Sequence, residues 1–218
     1  MSSIRLIVGL GNVGVQYVRT RHNAGFWFAD ALAEKCGARF SEAPRFFAST
    51  AKIRLGGSEL WLMKPSTFMN RSGSAVVALA LYYKILPDEI LVVHDELDLV
   101  PGTMKMKLGG GNAGHNGLKD ISQKLSTPDF WRLRIGIGHP RTFCPGQEVY
   151  DWVLGVPSDE HLEGMRKCID AALALAEKMA GGDMDSVQRS LRKFGSLPKA
   201  KPKALPAGEP PHETGADR

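Results

Sequence analysis

At 218 residues, 43% hydrophobic and 23% charged, the chain has the size and composition of one globular domain with a full core, or at most two small ones. No apolar run approaches membrane-spanning length and no charged leader precedes an apolar signal core, which points to a cytoplasmic protein. Cys36, Cys144 and Cys168 are odd in number and far apart, so they form neither a disulfide framework nor a zinc motif, while the net charge of +5 leaves room for a polyanionic partner.

In chain order, Ile4 to Leu10 reads as a buried strand, and Ala24 to Cys36 carries apolar residues at helical spacing. Phe46 to Leu55 and Glu59 to Met63, joined by Gly56-Gly57-Ser58, read as a hairpin. Ser72 to Tyr83 is helical, Glu89 to His94 a strongly apolar strand, and Thr103 to Leu108 a half-exposed one. A helix at Leu118 to Leu125, a strand at Leu133 to Gly138, a long helix from Asp159 to Ala180 and a short one from Asp183 to Phe194 complete the series. Strands interleaved with helices argue for a single α/β domain, residues 1–194, with helices flanking a twisted, mixed but mostly parallel sheet. Residues 195–218 hold five prolines, three spaced lysines and no aromatic residue, and read as a disordered tail.

GLGNVG, residues 9–14, follows the first strand and matches G-x-G-x-x-G. A dinucleotide site needs a helix opening inside that turn and an acidic residue closing a second strand about 20 residues on. Convincing helical spacing here starts only near Ala24, and Asp30 and Glu34 fall within the helix. Gly109-Gly110-Gly111 lacks the Gly-Lys-Ser/Thr of a phosphate loop, so no cofactor is expected.

Several polar residues stand where loops leave strands, the usual ligand crevice of such sheets: Asn12, His94-Asp95, His22-Asn23, Asn70 and Asn116. Taken singly each has an ordinary role. Asn23 and Asn70 suit helix caps, and HDELD (residues 94–98) suits a solvated loop better than a metal cluster. No G-x-S-x-G elbow supports a serine nucleophile. The basic excess is local: residues 102–141 contain Lys105, Lys107, Lys119, Lys124, Arg132, Arg134 and Arg141 against Asp120 and Asp129, which suits phosphates but equally a solvated face.

Together, GLGNVGVQYVRTRHNAG, KPSTFMNRSGSAV, VVHDELDLVPGTMKMKLGGG, AGHNGLKDI and RLRIGIGHP resemble the bacterial-type peptidyl-tRNA hydrolase family in order and spacing. The resemblance implies a cytoplasmic, monomeric enzyme without cofactor, metal or obligate protein partner, cleaving the ester between a peptide and the 3′ ribose of tRNA. It makes His22 the catalytic histidine, Asp95 its carboxylate partner and Asn12 a catalytic amide. Asn70 and Asn116 then line the ester site, with Tyr17 and Met69 nearby, and Lys105, Lys107, His115 and Arg134 match basic positions linked to tRNA contact. His94 does not match the catalytic histidine. Val13 replaces a usual proline and Ala113 a usual glycine. A non-catalytic RNA-binding protein on the same fold is the alternative, and the presence of His22, Asp95 and all three asparagines favours the enzyme.

A base that activates water has to be neutral near pH 7. A place at a helix N-terminus disfavours imidazolium while a carboxylate favours it, so the two are expected to hold His22 near its working range.

Overall fold

The computed structural model describes residues 2–194; the expected tail lies outside the described residues. Seven strands form one sheet in the order β2-β3-β4-β1-β5-β7-β6. They are β1 (Leu6–Gly9), β2 (Ser41–Ala43), β3 (Ala48–Leu55), β4 (Ser58–Pro65), β5 (Ile90–Glu96), β6 (Met104–Leu108) and β7 (Trp131–Gly136). β1 pairs in parallel with β4 and β5, and β5 with β7, while β2–β3, β3–β4 and β6–β7 are antiparallel. A parallel centre with antiparallel edges is what the apolar runs at β1 and β5, buried along their whole lengths, require.

The helices are α1 (Ala24–Lys35), α2 (Ser72–Tyr83), α3 (Asn116–Leu125), α4 (Pro140–Phe143), α5 (Val149–Val153), α6 (Asp159–Ala174), α7 (Ala176–Ala180) and α8 (Met184–Leu191). The pleat sorts β1 onto two cores. Ile7 packs with α1, α6, α7 and α8, whereas Leu6 and Val8 pack with α2 and α3. Fully buried large side chains such as Phe28 and Leu79 each contribute about 1.5–3 kcal/mol through burial.

The helix expected over Asp159 to Ala180 breaks at Leu175 into α6 and α7, because Leu175 leaves helical geometry at φ −102° and ψ 1°. The short edge strand β2 and the helices α4 and α5 escape the sequence reading, being too brief for periodicity to register. HDELD is not a solvated loop: β5 continues through Glu96, with His94, Asp95 and Glu96 all buried.

The chain leaves β1 for one side of the sheet and returns after α2 to add β5 on the other. The crevice opens at the carboxyl ends of those strands. Gly9 and Gly25 bring α1 there. A Cβ on Gly25 would lie 2.3 Å from the backbone of both Leu10 and Val93, and one on Gly9 would lie 2.3 Å from the Gly25 carbonyl. Helix and strand ends thus meet backbone to backbone, which sets the turn Arg21–Asn23 over the end of β5.

Candidate active site

At the end of β5 a single carboxylate oxygen receives two imidazoles. His22 donates from Nδ1 to Asp95 Oδ1 at 2.8 Å, and His115 donates from Nε2 to the same oxygen at 3.1 Å. The tautomers follow from the surroundings. His115 caps α3, its Nδ1 accepting the Leu118 amide, so Nε2 carries the proton. With His22 Nδ1–H held by Asp95, its Nε2 keeps a lone pair, has no hydrogen-bond partner among the described residues, and belongs to a side chain lining a cavity of about 560 Å³.

Burial disfavours a charged His22, but the Asp95 charge and hydrogen bond outweigh it and raise its pKa above the ordinary value. Burial thus opposes Asp95, and His22 also stands in the turn directly before the first residue of α1. Asp95 itself is fully buried, which works against ionisation. The facing imidazoles override this and hold it well below the usual carboxylate range. His94 donates from Nδ1 to the Asp95 carbonyl at 2.7 Å, and burial with His115 beside it lowers its pKa to about 3, so it stays neutral.

Two asparagines tie the first loop to this cluster. Asn23 stands at the N-cap position of α1 but its side chain makes no cap bond; its amide instead grips the Asn12 backbone, accepting from Asn12 N at 2.8 Å and donating to Asn12 O at 3.0 Å. Asn12 in turn accepts the Met69 amide on Oδ1 at 3.0 Å, which leaves its Nδ2 without a hydrogen-bond partner among the described residues. Asn70, expected as a cap, makes no cap bond and is exposed in the turn Met69–Arg71. Asn12, Tyr17, His22, Met69, Asn70, Asp95, His115 and Asn116 all line the one cavity.

The basic residues divide. His115 belongs to the Asp95 cluster, and a phosphate contact through its Nε2 would require giving up that bond. Lys105 and Arg134 are cross-strand partners, as are Lys107 and Arg132. Lys107, Arg132 and Arg134 line a second cavity of about 210 Å³, which shares Glu96 and Ala113 with the first. Arg134 donates from Nε to Glu96 at 2.8 Å. Burial, then the neighbouring Arg134 and Arg132, lowers the Lys107 pKa. Lys105 is exposed at the edge strand.

Sequence reasoning missed the outer wall, made by Phe68, Leu97 and, from α5, Val149, Tyr150 and Val153. Apolar residues at 149, 150, 152 and 153 are the signal that could have exposed that helix. His22, Asp95 and His115 also bring three ligand-type atoms within 4.8 Å of one another, but an ion there would have to displace both hydrogen bonds to Asp95.

The sequence matches the peptidyl-tRNA hydrolase family over residues 6–201. The chain belongs to that family. The match runs past Phe194, where the sequence reading ends the domain. The peptidyl-tRNA hydrolase of Bordetella avium (strain 197N) is 53% identical over 188 residues, covering 86% of this chain and 91% of that protein. The crystal structure of peptidyl-tRNA hydrolase from Acinetobacter baumannii superposes with a TM-score of 0.82 at 42% identity, covering 90% of this chain and 96% of that one. A peptidyl-tRNA hydrolase in complex with N-propanol also gives a TM-score of 0.82, at 41% identity, over 92% of this chain and 98% of that one.

Ala113, on the cavity rim, adopts φ 45°, a left-handed conformation that a Cβ disfavours. Ala113→Gly is expected to stabilise the protein by about 1 kcal/mol, read as a higher thermal midpoint. An unchanged or lower midpoint would show that the residue is unstrained.

Proposed function

We propose that the peptidyl-tRNA hydrolase activity of this family member runs by general-base hydrolysis at His22. His22 Nε2 takes a proton from a water in the cavity, and the resulting hydroxide adds to the carbonyl carbon of the ester. The imidazolium formed is stabilised by Asp95, which holds the ring through Nδ1. Asn12 Nδ2 donates to the developing oxyanion, while Asn70 and Asn116 supply neutral amides for the ester and peptide groups. Collapse of the tetrahedral intermediate expels the 3′ ribose oxygen, which recovers the proton from His22. Free tRNA and a peptide carboxylate are released. The observation that carries this reading is the ring of His22, pinned at Nδ1 and open at Nε2 toward a cavity with three asparagines. No cofactor or metal enters these steps.

The acceptor-arm phosphates lie, on this reading, along Lys105, Lys107 and Arg134, next to the ester pocket through the shared Glu96 and Ala113. Tyr17 and Met69 shape the pocket around the reacting group. The enzyme works as a cytoplasmic monomer without an obligate protein partner; no helix of the described residues is long and apolar enough to cross a membrane.

Lys105 tests the tRNA face most cleanly, because removing Arg134 would strand the buried Glu96. Lys105→Ala is expected to raise KM and to shallow the dependence of log KM on log salt by about 0.7–0.9, the loss of one phosphate contact. A wild-type slope in this variant would contradict the assignment.

A further inference from the structure

Arg21 precedes the base and is 6% exposed, yet no carboxylate pairs with it among the described residues. A guanidinium removed from water without a counter-ion costs several kcal/mol unless other groups satisfy it. Here Nε is buried without a hydrogen-bond partner among the described residues, and the hydrogen bond and ring contact the guanidinium does make are both to α5. Arg21 Nη1 donates to the Trp152 carbonyl at 3.1 Å, its main-chain amide donates to the Gly155 carbonyl at 3.1 Å, and its guanidinium lies 3.7 Å from the centre of the Trp152 indole. Trp152 is held from its other sides: Nε1 donates to the Gly138 carbonyl at 2.9 Å, and Phe143 stacks at 6.1 Å with a 14° tilt.

We infer that Arg21 is a positioning residue that latches α5, the outer wall of the ester pocket, to the floor carrying His22, and thereby sets substrate affinity. A five-residue helix has no stability of its own, so its place depends on its contacts. Trp152 points inward to the latch, while Val149, Tyr150 and Val153 face the pocket. Tyr150 is 71% exposed, so an unlatched α5 has nothing on that side to hold it. His22 is anchored separately, by Asp95 and by the Asn23 clamp on Asn12. Loosening Arg21 therefore frees the wall and leaves the base in place.

This inference rests on the pocket being the ester site, so its test has a substrate-free arm. In Arg21→Met, amide hydrogen exchange at 152–155 is expected to accelerate while that of α1 stays at the wild-type rate. With N-blocked aminoacyl-tRNA, KM is expected to rise about tenfold and kcat to stay within about threefold. Adding Trp152→Phe, which also gives up the Nε1 bond to Gly138, to Arg21→Met should raise KM by less than the product of the single effects, because both loosen the same short helix. Unchanged exchange at α5 would overturn the latch, whatever the enzyme does to its substrate. Faster exchange with unchanged KM, a fall in kcat at constant KM, or independent KM effects would overturn its role in affinity. Should Arg21→Met not fold, Arg21→Lys serves: it keeps the charge but loses the flat face over the indole. The same exchange and KM changes are expected in it, and wild-type values would overturn the inference.

Discussion

His22→Ala is expected to lower kcat by about 10²–10⁴, the contribution of a positioned general base, while tRNA affinity stays within about twofold of wild type. The separation follows from the layout. His22 lies at the end of β5 against Asp95, whereas Lys105, Lys107 and Arg134 stand on β6 and β7, in or beside the neighbouring cavity. Binding of a non-hydrolysable N-blocked aminoacyl-tRNA analogue, measured beside single-turnover deacylation, checks both halves. A fall in affinity as large as the fall in rate would make His22 a binding residue and not the base.

Asn12→Asp is expected to lower kcat by about 10²–10³, the loss of one oxyanion donor, with little loss of stability. The substitution is nearly isosteric and keeps the Oδ1 acceptor that holds the Met69 amide, but it exchanges the free Nδ2 donor for a second oxygen. Asn12→Ala loses the donor too and also strands the buried Met69 amide, adding about 1–3 kcal/mol of instability. Comparing kcat and thermal midpoints for the two separates the chemical role from the structural one. Wild-type kcat in Asn12→Asp would remove this amide from the oxyanion.

The division between what could and could not be read from the sequence has physical causes. β1 and β5 announce themselves because a strand buried on both faces is apolar throughout. The lack of a helix start inside GLGNVG is legible in the sequence; the structure adds that Gly9 serves the close approach of α1 at Gly25. HDELD misled because charge alone suggests solvent, and only the fold could show Asp95 buried between two imidazoles. Asn23 misled in the same way. Its position beside a helix suits a cap, but a long-range partner, Asn12, took the amide. Motif alone groups His115 with the basic residues, and only three-dimensional proximity shows its bond to Asp95. The α5 wall and its Arg21 latch depend on contacts across 131 residues of sequence, which no local pattern encodes.

On the proposed mechanism neutral His22, its pKa raised by Asp95, is the base. A group whose pKa is raised stays protonated to higher pH, so the competent neutral form is lost as pH falls through that raised value. The direct measurement is the pH dependence of kcat/KM for deacylation of N-blocked aminoacyl-tRNA in wild type and Asp95→Asn. Wild type is expected to show an acid limb with its midpoint above 6.5, the ordinary imidazole value, and Asp95→Asn a lower rate with the limb moved to lower pH. A rate independent of pH through this range, or a limb that stays in place when the carboxylate is removed, would contradict the assignment.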